Sequence, residues 1–347
     1  MQTTFAVTPN GIPLGILDQK TWARKKTPLT RKKKLRDIDI KDKESYCWLQ
    51  GHERTTKLMT DSKAKLVTLA DREADIYEFI VKANELNASF VVRAAWDRAL
   101  QNKDESVGYL WKHMSNQNCA GIIEVEVPAR GTKEPARKEK VGIYFSQVHL
   151  RRPDRDRFPV DSPVPKVTPV YVVWVNEIDP PKKVTALEWM LLTNVAVQDF
   201  ESARQRVDWY RLRWTIEIFH KVLKSSCQVE ACRLQSADRL QRYIALFSVI
   251  AWRLHWMTHI NRNEPNKPCT TILAGHEWQA LYCKIHKTDQ PAKKPPVVYD
   301  AIRWIAMLGG SLARKGDGEP GIITLWRGWQ RLTDIAEEPL LFKGRST

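Results

Sequence analysis

Apolar residues recur with the period of an α-helix over residues 207–225. At about 100° per residue they fall on one side, whereas most polar residues share a narrow arc on the other. The apolar members are Leu212, Ile216, Phe219 and Leu223, and the polar members are Tyr210, Arg213, Glu217, Lys221 and Lys224. The pattern predicts one amphipathic helix that seats a single carboxylate among cations. The four-residue spacing also allows Glu217 to pair with Arg213 and Lys221 on an ordinary solvated face.

The start of the chain predicts a β-hairpin. Apolar segments at 4–8 and 12–17 flank Pro9, Asn10 and Gly11. An Asn-Gly pair favours the positive φ angles of a tight turn, so the two segments are expected to pair.

A strand followed by a helix is predicted around Asp71. The apolar run at 66–70 has the length of a strand, and from Ala74 onward apolar residues recur with helical spacing. Asp71 is therefore expected at the carboxyl end of a strand, where α/β proteins bind ligands. A residue in this position also commonly caps a helix, and the pattern alone leaves both roles open.

The pattern between residues 94 and 195 is typical of β-structure. A strand is predicted at 89–93, and a β-rich insertion follows at about 94–195. Alternating or continuously apolar segments lie at 122–127, 141–150, 170–178 and 189–193. Charged and Pro-rich loops separate these segments.

Helical patterns return in the last third of the chain. Helical segments are expected at 234–260, 300–310 and 325–332. The Pro- and Asn-rich residues 261–268 indicate a linker, and the pair Gly309 and Gly310 would let helices turn or approach closely. We therefore expect a first domain at 1–260 and a helical domain at 261–347.

Charge narrows the choice of partner. The 347 residues carry a formal net charge of +16, which favours a polyanion and above all nucleic acid. The basic run at 24–36 is either a solvated loop or a contact to a DNA backbone. The most apolar run, 243–252, is too short to span a membrane, and the chain starts without the pattern of a signal peptide. We expect a cytoplasmic protein with no membrane partner and free thiols.

Two motifs resemble those of a known family. Tyr210, Arg213, Glu217 and Lys224 follow the order Tyr-x2-Arg-x3-Glu-x6-Lys. This order, with the phrase Asp-Arg-Glu-Ala-Asp at 71–75, resembles the signature of bacterial DDE transposases of the IS-four group, which are Tn-five-like. The segments 300–310 and 325–332 are similar to the C-terminal helical dimerisation domain of that group.

The resemblance implies both a fold and a reaction. The fold is α/β, with a ribonuclease-H-like core, an inserted antiparallel β-subdomain and a C-terminal helical domain. The reaction is metal-dependent cut-and-paste transposition of an insertion sequence, which combines phosphodiester hydrolysis, hairpin formation and strand transfer. The implied partners are double-stranded DNA, at transposon ends and target, and a second copy of the chain. The implied location is the bacterial nucleoid.

The resemblance also assigns residues. By resemblance, the catalytic metal ligands are Asp71 and Glu217, the DNA phosphate ligands are Tyr210, Arg213 and Lys224, and the residues stacking on a flipped base are Trp189 and Trp214. The implied cofactor is Mg²⁺ or Mn²⁺. By residue chemistry alone, a Trp in a strand such as Trp189 is also typical of a core.

One departure from the family concerns the start of the chain. The first catalytic acid of the family lies on a strand before the hairpin, but here only residues 1–3 precede the hairpin and none is acidic. We therefore expect an N-terminally truncated copy that lacks this Asp and the DNA-recognition region. The alternative is a dimer-forming inhibitor or regulator of transposition without catalytic activity.

Overall fold

The structure is a computed structural model with two compact units. It describes residues 1–22, 38–102, 106–127, 136–155, 158, 162–182, 184–312, 314 and 318–343. The basic run predicted to contact DNA, at 24–36, lies outside the described residues. The first unit comprises Met1–Thr4 and Asp18–Arg213, and the second comprises Phe5–Leu17 and Trp214–Thr347.

Strands dominate the first half of the chain and helices the second half. The strands are β1 (Gln2–Val7), β2 (Pro13–Lys20), β3 (Val67–Ala70), β4 (Ser89–Arg93), β5 (Ala99–Gln101), β6 (Val107–Tyr109), β7 (Gly121–Val127), β8 (Arg137–Arg151), β9 (Val167–Glu177) and β10 (Glu188–Thr193). The helices are α1 (Tyr46–Leu58), α2 (Tyr77–Glu85), α3 (Leu110–Ser115), α4 (Phe200–Leu212), α5 (Trp214–Ser225), α6 (Ala237–Asn263), α7 (Gly275–His286), α8 (Val298–Leu308) and α9 (Ile322–Lys343). The predicted α/β class with a helical C-terminal region is confirmed.

The predicted N-terminal hairpin forms. β1 and β2 pair as a two-stranded sheet. The Thr8 amide donates to the Ile12 carbonyl at 3.0 Å across the turn. Gly11 has φ +82°, a left-handed conformation that glycine adopts without a steric penalty.

A mixed sheet of eight strands organises the first unit. Its order is β3-β4-β10-β9-β8-β5-β6, with β7 paired to β8. Only the β3–β4 pair is parallel among the described strands, and it places Ala70 beside Val92. The strands at 94–195 are antiparallel and extend the sheet that holds β3 and β4. The predicted strand at 89–93 coincides with β4.

The sheet is covered on both faces. Phe90 and Val92 of β4 face a core that includes residues of α2, whereas Val91 between them faces a core that includes residues of α4. This alternation follows the two-residue period of a strand. Both faces are therefore apolar, and the polar groups of the unit collect at strand ends and loops.

The expected single helix at 207–225 is wrong. α4 ends at Leu212 and α5 begins at Trp214, and the two helices belong to different units. The Arg213 amide donates to the Tyr210 carbonyl at 3.1 Å, three residues back rather than four, so the helical register is interrupted there. Tyr210 is also buried rather than part of a polar face. The nineteen-residue projection therefore does not describe one surface.

The second unit is a helical assembly with a single large core. α8 and α9 approach so closely at Gly309 and Gly328 that a Cβ on either glycine would clash with backbone of the other helix. Gly310 has φ +97° and turns the chain after α8. The predicted roles of the paired glycines in turning and close approach are thus confirmed. α6 continues to Asn263, so the expected linker at 261–268 begins inside a helix, and the domain boundary expected at 260 stays a prediction.

Candidate active site

Asp71 lies at the carboxyl end of β3, as predicted. Its Oδ1 accepts a hydrogen bond from the Glu73 amide at 2.9 Å and caps the 3-10 turn Arg72–Ala74. The capping role is thus present in the structure. A carboxylate offers about four acceptor positions, so one cap leaves capacity for a further ligand. Asp71 is half-buried, and β3 is covered on both faces, which holds the acid at a fixed edge of the sheet.

The second acid of the same phrase has a structural environment. The Asp75 side chain is fully buried and pairs with Arg98, whose Nε lies 2.7 Å from Oδ1. Its Oδ2 accepts from the amides of Ala95 and Trp96 at 2.7 and 3.2 Å. Asp75 therefore fixes the loop that follows β4.

Tyr210 is the centre of a polar cluster in the first unit. The guanidiniums of Arg93 and Arg213 both lie close enough to Tyr210 to influence its hydroxyl, and the Arg213 guanidinium lies 5.8 Å from the ring centroid. Burial raises the pKa of Tyr210, and the charge of Asp71 adds to this effect while the two arginines oppose it. The phenol therefore stays protonated at neutral pH.

Several arginines lie around this cluster. Burial lowers the pKa of Arg93, and the neighbouring charge of Arg72 lowers it further. Arginine remains charged despite such shifts, because its pKa starts above 12. The guanidiniums of Arg72, Arg93 and Arg213 and the carboxylate of Asp71 thus act on one another here, and guanidinium groups are suited to binding anions such as phosphate.

Sequence reasoning missed Arg93, although the chain carries a signal for it. Since β3 and β4 are parallel with Ala70 beside Val92, the next residues, Asp71 and Arg93, end their strands at the same edge. A cation at the end of the strand adjoining an acidic one is a candidate for the same site. Arg93 is held in place by a bond from its Nη2 to the Glu188 carbonyl at 2.7 Å.

Trp189 is half-buried and contacts the cluster. Its ring meets Tyr210 edge to face, with centroids 5.4 Å apart. The Trp189 side chain thus packs partly against the core and also contacts Tyr210 of the cluster.

The remaining predicted residues lie on α5, in the second unit. Glu217 is exposed in the first turn of the helix, where the helix dipole favours a negative charge. Lys224 is exposed in the last turn and pairs with Glu230 at 3.0 Å. Trp214 begins the helix with 51% of its surface exposed. His220 is half-buried, and burial lowers its pKa, with Lys224 as a smaller cause.

Two family models match this chain. Residues 50–253 match a model described as the transposase DDE domain, and residues 249–343 match one described as the transposase Tn5 dimerisation domain. The chain belongs to the DDE transposase family. Its mixed sheet with a helical C-terminal region is consistent with the ribonuclease-H-like fold expected for these transposases. The family acts on DNA, and the second match indicates homodimer formation.

Metal binding is the family property that the described residues fit in part. DDE transposases generally use divalent metals. Among the described residues there is no group of three or more His, Cys, Asp or Glu side chains able to hold a metal ion. Mg²⁺ in proteins is often held by one or two carboxylates, with waters and substrate phosphates completing the shell. The oxygen donors of Asp71 and Glu217 thus suit such an ion in kind, and each lies in its own unit.

No helix in the described part of this transposase is long and apolar enough to cross a membrane.

Proposed function

We propose that this transposase catalyses cut-and-paste transposition of an insertion sequence: phosphodiester hydrolysis at the element's ends, hairpin formation and strand transfer. The observation that carries the proposal is the buried Tyr210, with the Arg213 guanidinium 5.8 Å from its ring and the charges of Arg93 and Asp71 acting on its hydroxyl. Family membership supports the class of reaction, and this cluster supplies a place for a DNA phosphate next to an acid.

The cluster suits a phosphate oxygen because of how its hydrogen bonds are directed. A phenol oxygen has two lone pairs and one proton. If both lone pairs accept from Arg93 and Arg213, the proton remains for an incoming anion. Burial keeps that proton on the oxygen at neutral pH, since it raises the pKa of Tyr210. Tyr210, Arg213 and Lys224 are the proposed ligands of the 5′ phosphate of the non-transferred strand, and Lys224 contributes its charge from α5.

Asp71 and Glu217 are the proposed metal ligands. A bound Mg²⁺ or Mn²⁺ would supply Lewis acidity and an activated oxygen nucleophile. The protein contributes the hard oxygen donors. Asp71 does so from a strand end fixed by its cap, and Glu217 does so from the first turn of a helix.

Trp189 and Trp214 are the proposed platforms for a base that leaves the duplex. The edge-to-face contact with Tyr210 orients the indole of Trp189 beside the Tyr210 cluster. Trp214 has an exposed ring that a base can cover. Stacking on aromatic rings is tolerant of sequence, because every base has a π-face.

The test compares duplexes with and without a 5′ phosphate. Arg213→Ala and Tyr210→Phe are expected to lower the preference for the phosphorylated duplex about 10-fold or more, because each removes a hydrogen bond to a charged group. Arg204→Ala is the matched control, since Arg204 lies on the same helix α4 and pairs with Glu201 at the surface. An unchanged preference in both variants would contradict the phosphate site.

A second candidate function is a dimer-forming regulator without cleavage activity. The match of residues 249–343 to a dimerisation domain favours it, because that region can associate without any chemistry at Asp71. The double variant Asp71→Asn with Glu217→Gln separates the two functions. If it blocks transposition by an active copy as strongly as the wild-type chain does, regulation suffices; light scattering reports whether it is a dimer.

A further inference from the structure

An open groove of about 450 Å³ lies in the first unit beside the 3-10 turn Arg72–Ala74. Arg72 and Glu73, the residues next to Asp71, line it together with the loop after β4 and the ends of β6 and β8. Its volume is within the roughly 300–1,000 Å³ of ligand sites. The residues proposed above to hold phosphate, metal or a flipped base do not line this groove, but Arg72, whose charge acts on Arg93 of the Tyr210 cluster, does.

Two exposed aromatic rings stand in the groove. Trp96 has 64% of its surface exposed and Tyr109 has 53%. A single exposed aromatic residue needs no explanation, but two that line one basic groove form a surface on which flat groups can stack.

The backbone under Trp96 is fixed although its indole is exposed. The buried Asp75 carboxylate accepts the amides of Ala95 and Trp96 and pairs with Arg98. Burying an ion pair carries a desolvation cost, which these additional hydrogen bonds offset. The loop is thus held in one conformation before any ligand arrives, and a ligand that stacks on Trp96 need not order it.

The charge of the groove complements a phosphate backbone. Among the described residues that line the groove outside the Asp75–Arg98 pair, the charged ones are the cations Lys43, Arg72, Arg151 and Arg155 and the acids Glu73 and Asp97. Four cations against two acids leave an excess of two positive charges. A positive groove interleaved with aromatic rings is the arrangement that binds single-stranded nucleic acid.

We propose that this groove binds an unpaired stretch of DNA, with Trp96 stacking on a base and Arg72 and Arg151 contacting backbone phosphates. The choice of DNA rests on the proposed function. The choice of a single strand rests on the rings, because a base inside a duplex has no face available to an exposed indole. Asp75 is a positioning residue, which acts through the loop that carries Trp96.

The test measures the affinity of the full chain for a labelled oligothymidine and for a labelled duplex at one salt concentration. Trp96→Ala is expected to weaken oligothymidine binding about 5- to 100-fold, the range for loss of one base stack. Duplex binding should change less than about 2-fold. Trp96→Phe, which keeps a stacking ring, should retain most of the affinity. Leu58→Ala is the control, because Leu58 has the same exposed fraction, 64%, on α1.

Three results would contradict the proposal that this groove binds unpaired DNA. They are an oligothymidine affinity unchanged by Trp96→Ala, an equal loss for duplex and single strand, or no oligothymidine binding by the wild-type chain. Thermal unfolding checks that the variants fold, and photo-crosslinking of an iodouracil oligonucleotide should label Trp96 or Tyr109. Failure of the groove leaves the 5′-phosphate preference of Tyr210→Phe untouched, so the two proposals fail separately.

Discussion

The Tyr210 cluster of the first unit and the polar face of α5 in the second unit differ in burial. Tyr210 is buried, and of the two arginines that act on it Arg93 is anchored on a backbone carbonyl. Glu217 and Lys224 are exposed on a helix surface. One region is shielded from water before a ligand binds, whereas in the other a ligand must compete with water at the helix surface. The family signature therefore joins residues with unlike physical surroundings.

The largest expected effect is on DNA cleavage, and it tests whether the two acids are equivalent despite this difference. Asp71→Asn and Glu217→Gln should each lower metal-dependent cleavage of a plasmid carrying the element's ends by more than about 100-fold, since each removes a charged metal ligand. Free energies of unfolding should stay within about 0.5 kcal/mol for the exposed Glu217.

Glu201→Gln serves as the control for these two variants, because Glu201 is an exposed acid on α4. Mn²⁺ titration followed by calorimetry should show weaker binding in both acid variants and an unchanged affinity in the control. Wild-type cleavage by Glu217→Gln would remove Glu217 from the proposed metal ligands.

The next effect is on stability at acidic pH, because each unit contains a buried histidine. Burial lowers the pKa of His52 in the first unit and of His255 in the second to about 4. The unfolded chain binds protons near pH 6.5, so between pH 6.5 and 4 it holds more protons than the folded chain. Each histidine should therefore cost up to roughly 3 kcal/mol of stability as the pH falls through this window.

Hydrogen exchange at pH 7 and pH 5 resolves this effect unit by unit. His52→Gln should flatten the pH dependence for amides of α1, and His255→Gln should do so for amides of α6. His52 keeps a hydrogen bond to Thr68 Oγ1 at 2.8 Å, so its replacement should cost more stability at pH 7. Equal pH dependence in wild type and variants would show that other groups control acid unfolding.

The smallest effect is expected at Lys224. Its pair with Glu230 is exposed on both sides, and such pairs contribute about 0–1 kcal/mol. Lys224→Ala should leave stability unchanged and weaken DNA binding only about 3-fold, with a lower salt dependence of binding. Arg93→Ala, in the Tyr210 cluster, should weaken binding of a 5′-phosphorylated duplex more. A reversed order of the two losses would contradict the difference between the regions.

The sequence predicted elements well where local chemistry and tertiary packing agree. The Asn-Gly turn, β4 at 89–93 and the placement of Asp71 at a strand end all follow from short-range pattern. The close approach of α8 and α9 followed from glycine, since only a residue without Cβ permits it.

Periodicity could not locate the interruption at Arg213. Apolar spacing continues across it although Leu212 belongs to α4 and Ile216 to α5, and a change of one hydrogen bond leaves no trace in residue type. The burial of Tyr210 could not be predicted either, because it depends on tertiary packing and not on the spacing of residue types. Arg93 escaped notice because its neighbour Asp71 is distant in sequence, and only the strand register brings the two to one edge.

The contact of bare backbone at Gly309 and Gly328 has a consequence for assembly. Main-chain atoms set the spacing of α8 and α9, so no rotation of a side chain can alter it. Residues on the outer faces, such as the exposed Met307 and Ile323, can therefore be exchanged without shifting the scaffold beneath them. Substitutions at such positions would change the surface that α8 and α9 present while the frame beneath it stays constant.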